Sequence, residues 1–436
     1  MKYFAWLAVL LGATVLRESG SYVTGPTRFF LHLTDTHLDR YYAAGAPNRC
    51  LVGTKLGTGC CRADDVAHEG SSPCGPWGDL EADAPPRLVD GIIEWIAEYV
   101  PRVDAVFQTG DDASHHDVTQ TIEGNLANVR FVAAALRRRL GPGVPIFNAV
   151  GNHDTYPIDQ TTPLVYGHML REIGEAYGRP GATHGFYSEP LGDDLQVVAL
   201  NSIWYDSHNA FRVRDDAGDA RTAGDQFAWL GRELASAHAA GRRVVLLTHI
   251  PIGGGEATPY YDKRLAAVLL AAPEPPLIQL CGHEHYDHFY LYFADPNATT
   301  PFSSVLAPNS IVPSNNFPGF RVYEYDSRTR SVVDYTQFAC NLIEANNRAT
   351  SEGSGDPSTT PPTLCAPLYR FRELYGTRDV STASLAMLYT RMGTNTTLLA
   401  TYVSNQNFGE PEAITDACVK SSACLSHKLA AVRVDA

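Results

Sequence analysis

Five short apolar runs in this chain each end in a cluster of side chains that bind metal ions, and that pattern constrains the fold more than any other feature. Residues 29–34 lead into Asp35 and His37, and residues 105–109 into Gly110, Asp111 and Asp112. Residues 146–150 run into Gly151, Asn152, His153 and Asp154. Residues 244–248 run into His249, and residues 277–281 into Gly282, His283, Glu284 and His285. Each run reads as a buried strand, and a buried sheet presents ligands just beyond the carboxyl ends of its strands. Aspartate, asparagine and histidine from several strand ends suit hard and borderline divalent ions, and two such ions can clamp a phosphate. A sixth apolar run, 196–200, ends in Asn201, Ser202, Ile203 and Trp204 with no carboxylate or imidazole. Strand ends here are therefore not uniformly ligand-rich, and the five clusters together predict a two-metal site that acts on phosphate esters.

Between residues 28 and 338 the strand runs alternate with stretches of helical periodicity at 86–100, 122–140, 225–240 and 262–271. Alternation on this scale predicts a layered α/β fold. Runs at 303–306, 320–325 and 331–335 lack intervening helices and predict antiparallel strands. Residues 345–362 read as a polar linker, and the chain from 364 onward as a small helical subdomain. The resulting division is a leader over 1–25, a catalytic domain over 26–340, and a linker with a helical, disulfide-containing subdomain over 341–436.

The formal net charge of -14 argues against a nonspecific nucleic-acid binder, so no nucleic-acid polymer is expected as a partner. An anionic substrate has to be drawn in by local metal charge. Met1 and Lys2 followed by the apolar stretch 3–16 read as a signal peptide, which predicts a secreted or lysosomal protein. The alternative is an uncleaved anchor, but the apolar core is shorter than the ~20 residues a span needs, so no transmembrane span is expected. Nine cysteines in such a chain predict disulfides. Cys50, Cys60, Cys61 and Cys74 crowd a Gly- and Pro-rich insert after the first metal cluster, where a structural zinc site is the alternative to bridges. Cys281 closes an apolar run and reads as an unpaired core thiol. Asn297 and Asn395 head glycosylation sequons. The expected state is a monomer.

The succession D-x-H, G-D, G-N-H-D, a lone H and G-H-x-H resembles the calcineurin-like metallophosphoesterase superfamily. The resemblance implies a four-layer α/β/β/α sandwich. It assigns Asp35, His37 and His285 to one metal, Asn152, His249 and His283 to the other, and Asp111 to both. A water bridging the metals, its pKa lowered by their charge, is the implied nucleophile. His153 is the implied general acid, with Asp154 orienting it. No arginine follows the second cluster as in the superfamily's protein phosphatases. Ser114 also stands where purple acid phosphatases carry a ligand tyrosine, which favours two zinc ions.

Within the superfamily the chain is most similar to the acid sphingomyelinase-like phosphodiesterases. The similarity lies in the cysteine-rich insert, Cys60-Cys61-Arg62, Pro76-Trp77-Gly78-Asp79, Gly319-Phe320-Arg321-Val322-Tyr323 and the tail 368–376, and spans roughly 28–425. It implies bridges Cys50–Cys60, Cys61–Cys74 and Cys418–Cys424, with Cys340–Cys365 as a further pair. His116-Asp117-Val118 matches the family's H-D-V one residue late, which makes His116 the second candidate acid and His115 its rival. Only 27 residues precede Arg28, so the saposin-less relatives are the expected branch. The implied activity is hydrolysis of nucleotide, CDP-alcohol or sphingomyelin-type phosphodiesters, with substrate choice in loops 204–223 and 253–261. The alternatives are an endopolyphosphatase using the same site and a catalytically silent secreted binding protein. The silent protein is expected to lack a ligand or His153, and this chain has them all.

Overall fold

Strand–helix alternation takes the form of two stacked sheets with helices on the outside. A computed structural model of the chain describes residues 26–52, 55–56, 59–116, 119–253, 256–313, 316–351, 360–406 and 431–433. The leader over 1–25, Asp117, Val118, Gly254, Gly255, Cys418 and Cys424 lie outside the described residues. The first half comprises β1 (Thr27–Leu33), a short hairpin of β2 (Leu51–Val52) and β3 (Lys55–Leu56), α1 (Pro86–Tyr99), β4 (Ala105–Gln108), α2 (Ile122–Leu140), β5 (Ile146–Asn148) and α3 (Tyr166–Ala176). It continues through β6 (Tyr187–Leu191), β7 (Leu195–Ala199), α4 (Asp216–Thr222), α5 (Gln226–Ala239), β8 (Arg243–Leu247), α6 (Pro259–Ala271) and β9 (Ile278–Leu280). The rest is β10 (His288–Phe293), β11 (Ser303–Ala307), β12 (Gly319–Asp326), β13 (Ser331–Cys340), α7 (Leu342–Ser351), β14 (Cys365–Arg370), α8 (Phe371–Tyr375), α9 (Thr382–Met392), α10 (Thr396–Gln406) and β15 (Ala431–Arg433).

One sheet has the order β14-β13-β12-β1-β4-β5 and the other β15-β10-β11-β9-β8-β7-β6. In the first, β1, β4 and β5 run parallel, with Leu31 beside Val106 and Phe107 beside Phe147. In the second, β7, β8 and β9 run parallel. All of the ligand-rich termini therefore emerge at strand carboxyl ends. The antiparallel expectation holds where β12 pairs with β1 and β13, and where β11 pairs with β10, although β11 also meets β9 in parallel.

Successive strand residues point to opposite faces, and both faces are buried. Phe30, Phe107, Val197, Val245 and Leu247 fill the space between the sheets. Leu31, Leu33, Val106, Val198 and Leu246 face outward against the helices. Helix α1 answers with Leu88, Val89, Ile92, Ile93 and Ile96 on one stripe. Burying a side chain of this size contributes about 1.5–3 kcal/mol, so this alternation is what fixes the layers. Helix α2 starts where the Thr121 hydroxyl accepts from Gly124 N, and stops at Gly141, whose φ of 93° the helix cannot continue.

The C-terminal region departs from the sequence reading. The stretch read as a linker from Ala345 continues helix α7 as far as Ser351, and the segment read as wholly helical opens with edge strand β14. Helices α8 to α10 place Phe371, Leu385, Leu388, Met392, Leu399 and Tyr402 into the core between the sheets. The C-terminal chain thus closes one end of the sandwich. Disulfides join Cys50 to Cys60, Cys61 to Cys74 and Cys340 to Cys365, while Cys281 is free and buried. No helix among the described residues is long and apolar enough to cross a membrane.

Candidate metal centre

The loops that follow β1 and β4 are laced together before any side chain is considered. Asp35 N, His37 N and Leu38 N donate to the carbonyls of Gly110, Asp111 and Asp112 at 2.9–3.0 Å. This lacing holds residues in backbone conformations they resist. Nine non-glycine residues among those described have positive φ, and five of them are Asp35, His37, Asp111, His283 and His285. A β-carbon disfavours that region, so the surrounding bonds must over-determine it. Glycines make the close approach possible. A β-carbon on Gly151 would lie 2.0 Å from Asp111 Oδ1, and one on Gly282 would lie 2.2 Å from Thr34 Oγ1.

The donors gather in two groups. Asp35, His37 and His285 form one, and Asp111, His249 and His283 the other, each with its ligand atoms within 4.8 Å of one another. Asp111 Oδ2 lies 3.5 Å from His37 Nε2 and 3.2 Å from His249 Nε2, and so stands between the groups. Asn152 Oδ1 reaches His249 Nε2 at 2.8 Å and His283 Nδ1 at 3.1 Å. Asp35, His37, Asp111, Asn152 and His249 are buried, whereas His115, His153, His283 and His285 keep partial exposure. The cluster opens on the side of those four imidazoles.

The donor chemistry fits cations. His37 Nδ1 faces the Ala113 carbonyl at 2.9 Å and His249 Nδ1 faces the Thr109 carbonyl at 2.7 Å. A carbonyl only accepts, so each ring carries hydrogen on Nδ1 and turns its Nε2 lone pair inward. His37 Nε2 then meets His285 Nε2 at 3.1 Å, beside the carboxylates of Asp35 and Asp111. Converging lone pairs of this kind are satisfied by protons or by metal ions. Burial raises the Asp111 carboxyl, but the His249, His153 and His37 charges outweigh it and hold the group well below the usual carboxylate range. Burial pushes His249 down, yet the Asp111 charge and hydrogen bond, aided by Asp35, lift it to about 10. Burial, followed by the His249 charge, drives His283 down to about 3. Asp111 thus favours a cation at His249 Nε2, where a proton and a metal ion compete for the same lone pair.

Two predicted residues, Asp154 and His116, stand differently from their expected roles. Asp154 does not orient the His153 ring. Its carboxylate accepts from the backbone N–H groups of Asp111, Asp112 and Gly151 at 2.8–3.0 Å, pinning the loop that carries Asp111. His153 N instead donates to Asp111 Oδ1 at 2.8 Å, and the buried His153 Nδ1 has no partner among the described residues. His116 is turned out of the cluster. Its Nδ1 meets Thr119 Oγ1 at 2.9 Å, and it lines a separate cavity of about 80 Å³ with Asp39, Arg62 and Asn125.

His115 occupies the place expected of His116. Its ring stacks on His37 with centroids 3.6 Å apart and lies 4.6 Å from the His153 ring. Asp83 clamps it, with Oδ1 2.6 Å from His115 Nδ1 and Oδ2 accepting from His115 N at 2.7 Å. Asp83 is itself delivered by the disulfide-rich insert. Its neighbour Ala84 donates to the His37 carbonyl and accepts from Asp39 N, which zips the end of the insert to the first metal cluster. Burial lowers the His115 pKa, but the charge and hydrogen bond of Asp83, with Asp111 and Asp35 beyond, raise it on balance. Burial drives His153 the other way, to about 4. No short motif flags Asp83; only the fold brings it to the histidine.

Two sheets deliver acidic and imidazole donors in groups that could hold divalent metal ions, with two further histidines alongside. The chain belongs to the calcineurin-like phosphoesterase family, which it matches over residues 30–287. It is 26% identical over 340 residues to sphingomyelin phosphodiesterase B of Dictyostelium discoideum, covering 74% of this chain and 52% of that protein. It is 27% identical to acid sphingomyelinase-like phosphodiesterase 3b of Homo sapiens, covering 97% of this chain and 91% of that protein. It is also 27% identical to cyclic GMP-AMP phosphodiesterase SMPDL3A of Bos taurus, covering 75% and 74% of the two chains. The chain thus spans about half the length of the Dictyostelium sphingomyelin phosphodiesterase it matches.

Proposed function

We propose that this protein is a secreted or lysosomal, two-zinc phosphodiesterase acting on a small phosphodiester with a nucleotide or phosphocholine-type group. The observation that carries the reading is the pair of donor groups sharing Asp111, with His115 and His153 beside them and not needed as ligands. Asp35, His37 and His285 would hold one ion, Asn152, His249 and His283 the other, and Asp111 both. Four imidazoles among seven ligands favour zinc over magnesium or calcium, which prefer all-oxygen sites. When bound, such ions draw the phosphoryl group in, stabilise its added charge and lower the pKa of water. The relatives' names support the substrate class, since they act on sphingomyelin and on cyclic GMP-AMP. Three disulfides favour an oxidising compartment.

The chain's own residues divide the remaining work. His115, whose cationic form Asp83 favours, donates the proton to the departing oxygen. His153, pushed towards its neutral form by burial, hydrogen-bonds a phosphoryl oxygen and orients the ester. Asp154 holds the backbone from which Asp111 projects. The test is metal analysis together with hydrolysis of bis-p-nitrophenyl phosphate, CDP-choline, cyclic GMP-AMP, sphingomyelin and polyphosphate from pH 4 to 8. Two zinc ions per chain and turnover of at least one diester are expected. Fewer than two ions in active protein, or turnover of polyphosphate alone, would overturn the reading.

A further inference from the structure

Asn152 is the only amide among the seven proposed ligands, and its orientation is set from outside the site. A carboxamide has an oxygen that can meet a cation and an NH₂ that cannot, so a flip would turn a ligand into an obstacle. Asn152 Nδ2 donates to Asp159 Oδ1 at 2.8 Å, and Asp159 N donates to the Asn152 carbonyl at 3.0 Å. One residue thus ties both the side chain and the backbone of Asn152, leaving Oδ1 directed at His249 and His283.

Asp159 is in turn firmly held. Its φ is 64°, a left-handed conformation disfavoured for a residue with a β-carbon. The two residues after it dock onto the neighbouring loop. Gln160 Nε2 donates to the His208 carbonyl at 3.0 Å, Ala210 N donates to Gln160 Oε1 at 2.9 Å, and Asn209 Nδ2 donates to Thr161 Oγ1 at 2.8 Å. Building on the two-ion reading, we infer that Asp159 is a positioning residue. It fixes Asn152 with its oxygen inward and thereby sets the affinity of the Asn152–His249–His283 half of the centre.

The test uses the full metal-free chain titrated with Zn²⁺ against a chelating indicator, with thermal unfolding of the metal-free protein alongside. Asp159→Gly removes the carboxylate while suiting the left-handed φ, so the fold is retained. Removing a partner that orients a ligand typically weakens metal binding by about 10–100-fold. The expected result is two tight ions in the wild type, and in Asp159→Gly one ion at wild-type affinity with the other weaker by that factor. Asp159→Asn keeps an oxygen acceptor and tolerates the same φ, and is expected to recover most of the loss. Wild-type affinity for both ions in Asp159→Gly would overturn the assignment, as would equal weakening of both with a lower unfolding temperature. A wild type that binds fewer than two ions would instead overturn the two-ion reading beneath it.

Discussion

The two adjacent histidines after Asp111 give the sharpest test of the proposed chemistry. Only His115 reaches the cluster, and His116 is bonded to Thr119 in a separate cavity. A general acid contributes about 10²–10⁴-fold when the leaving oxygen is a poor one. His115→Ala should therefore lower kcat/KM on an alkyl phosphodiester by that range, or about 3–5 kcal/mol. On a p-nitrophenyl diester, whose leaving group departs without a proton, the loss should stay below about tenfold. His153→Ala should cost both esters alike, since orienting a phosphoryl oxygen helps either one. His116→Ala should leave both rates nearly unchanged. The Asp83 carboxylate adds a pH signature. It raises the His115 pKa, so the acid form persists to higher pH. Asp83→Asn removes that support, so the alkaline limb of the kcat/KM profile should move to lower pH, with activity lost near neutrality and kept at pH 5. The measurement is steady-state kinetics on the two esters across the pH range. If His116→Ala matched His115→Ala, or His115→Ala hurt both esters equally, the assignment of the proton donor would be wrong.

Three further outcomes follow from the scaffold. Asp154→Ala strands four buried backbone N–H groups, each costing about 1–3 kcal/mol, so urea unfolding of the metal-free protein should show a loss of about 4 kcal/mol or more. A loss under ~1 kcal/mol would mean that water replaces the carboxylate. Gly151→Ala forces its β-carbon against Asp111 Oδ1 and backbone N, and should reduce bound zinc below two per chain while far-ultraviolet circular dichroism is unchanged. Arg321→Met leaves the buried Asp287 without its guanidinium partner, a change typically costing about 3–5 kcal/mol, which a fall in Tm would report.

The convergence of the acidic and imidazole donors was legible because each donor follows an apolar run, and runs buried on both faces stand out without knowledge of the fold. Helices α1, α2, α5 and α6 were legible for a similar reason, since each carries an apolar stripe or a clear terminus. The tail was not. Strand β14 contains Pro367, which a strand tolerates only at an edge, and whether a segment lies at an edge is a property of the assembled sheet. Strand β10 is buried at every position, so it shows no alternation to separate it from a buried helix.

The residues around the ligands were hidden for a different reason. The chain bends at His115, and the His115 and His116 rings end on different sides. Nothing in Asp111-Asp112-Ala113-Ser114 says which ring meets the cluster. The choice is made by Asp83, which arrives from the cysteine-rich insert and binds both the ring and the backbone of His115. The same holds for the left-handed backbones of Asp35, His37, Asp111 and His283, which intrinsic propensity opposes. They persist because carbonyls of the neighbouring loop, the Asp35 carboxylate and the buried carboxylate of Asp154 take up the displaced N–H groups. What a chain of this kind advertises in its sequence is its candidate metal donors; the strain that aims them is held by partners dozens of residues away.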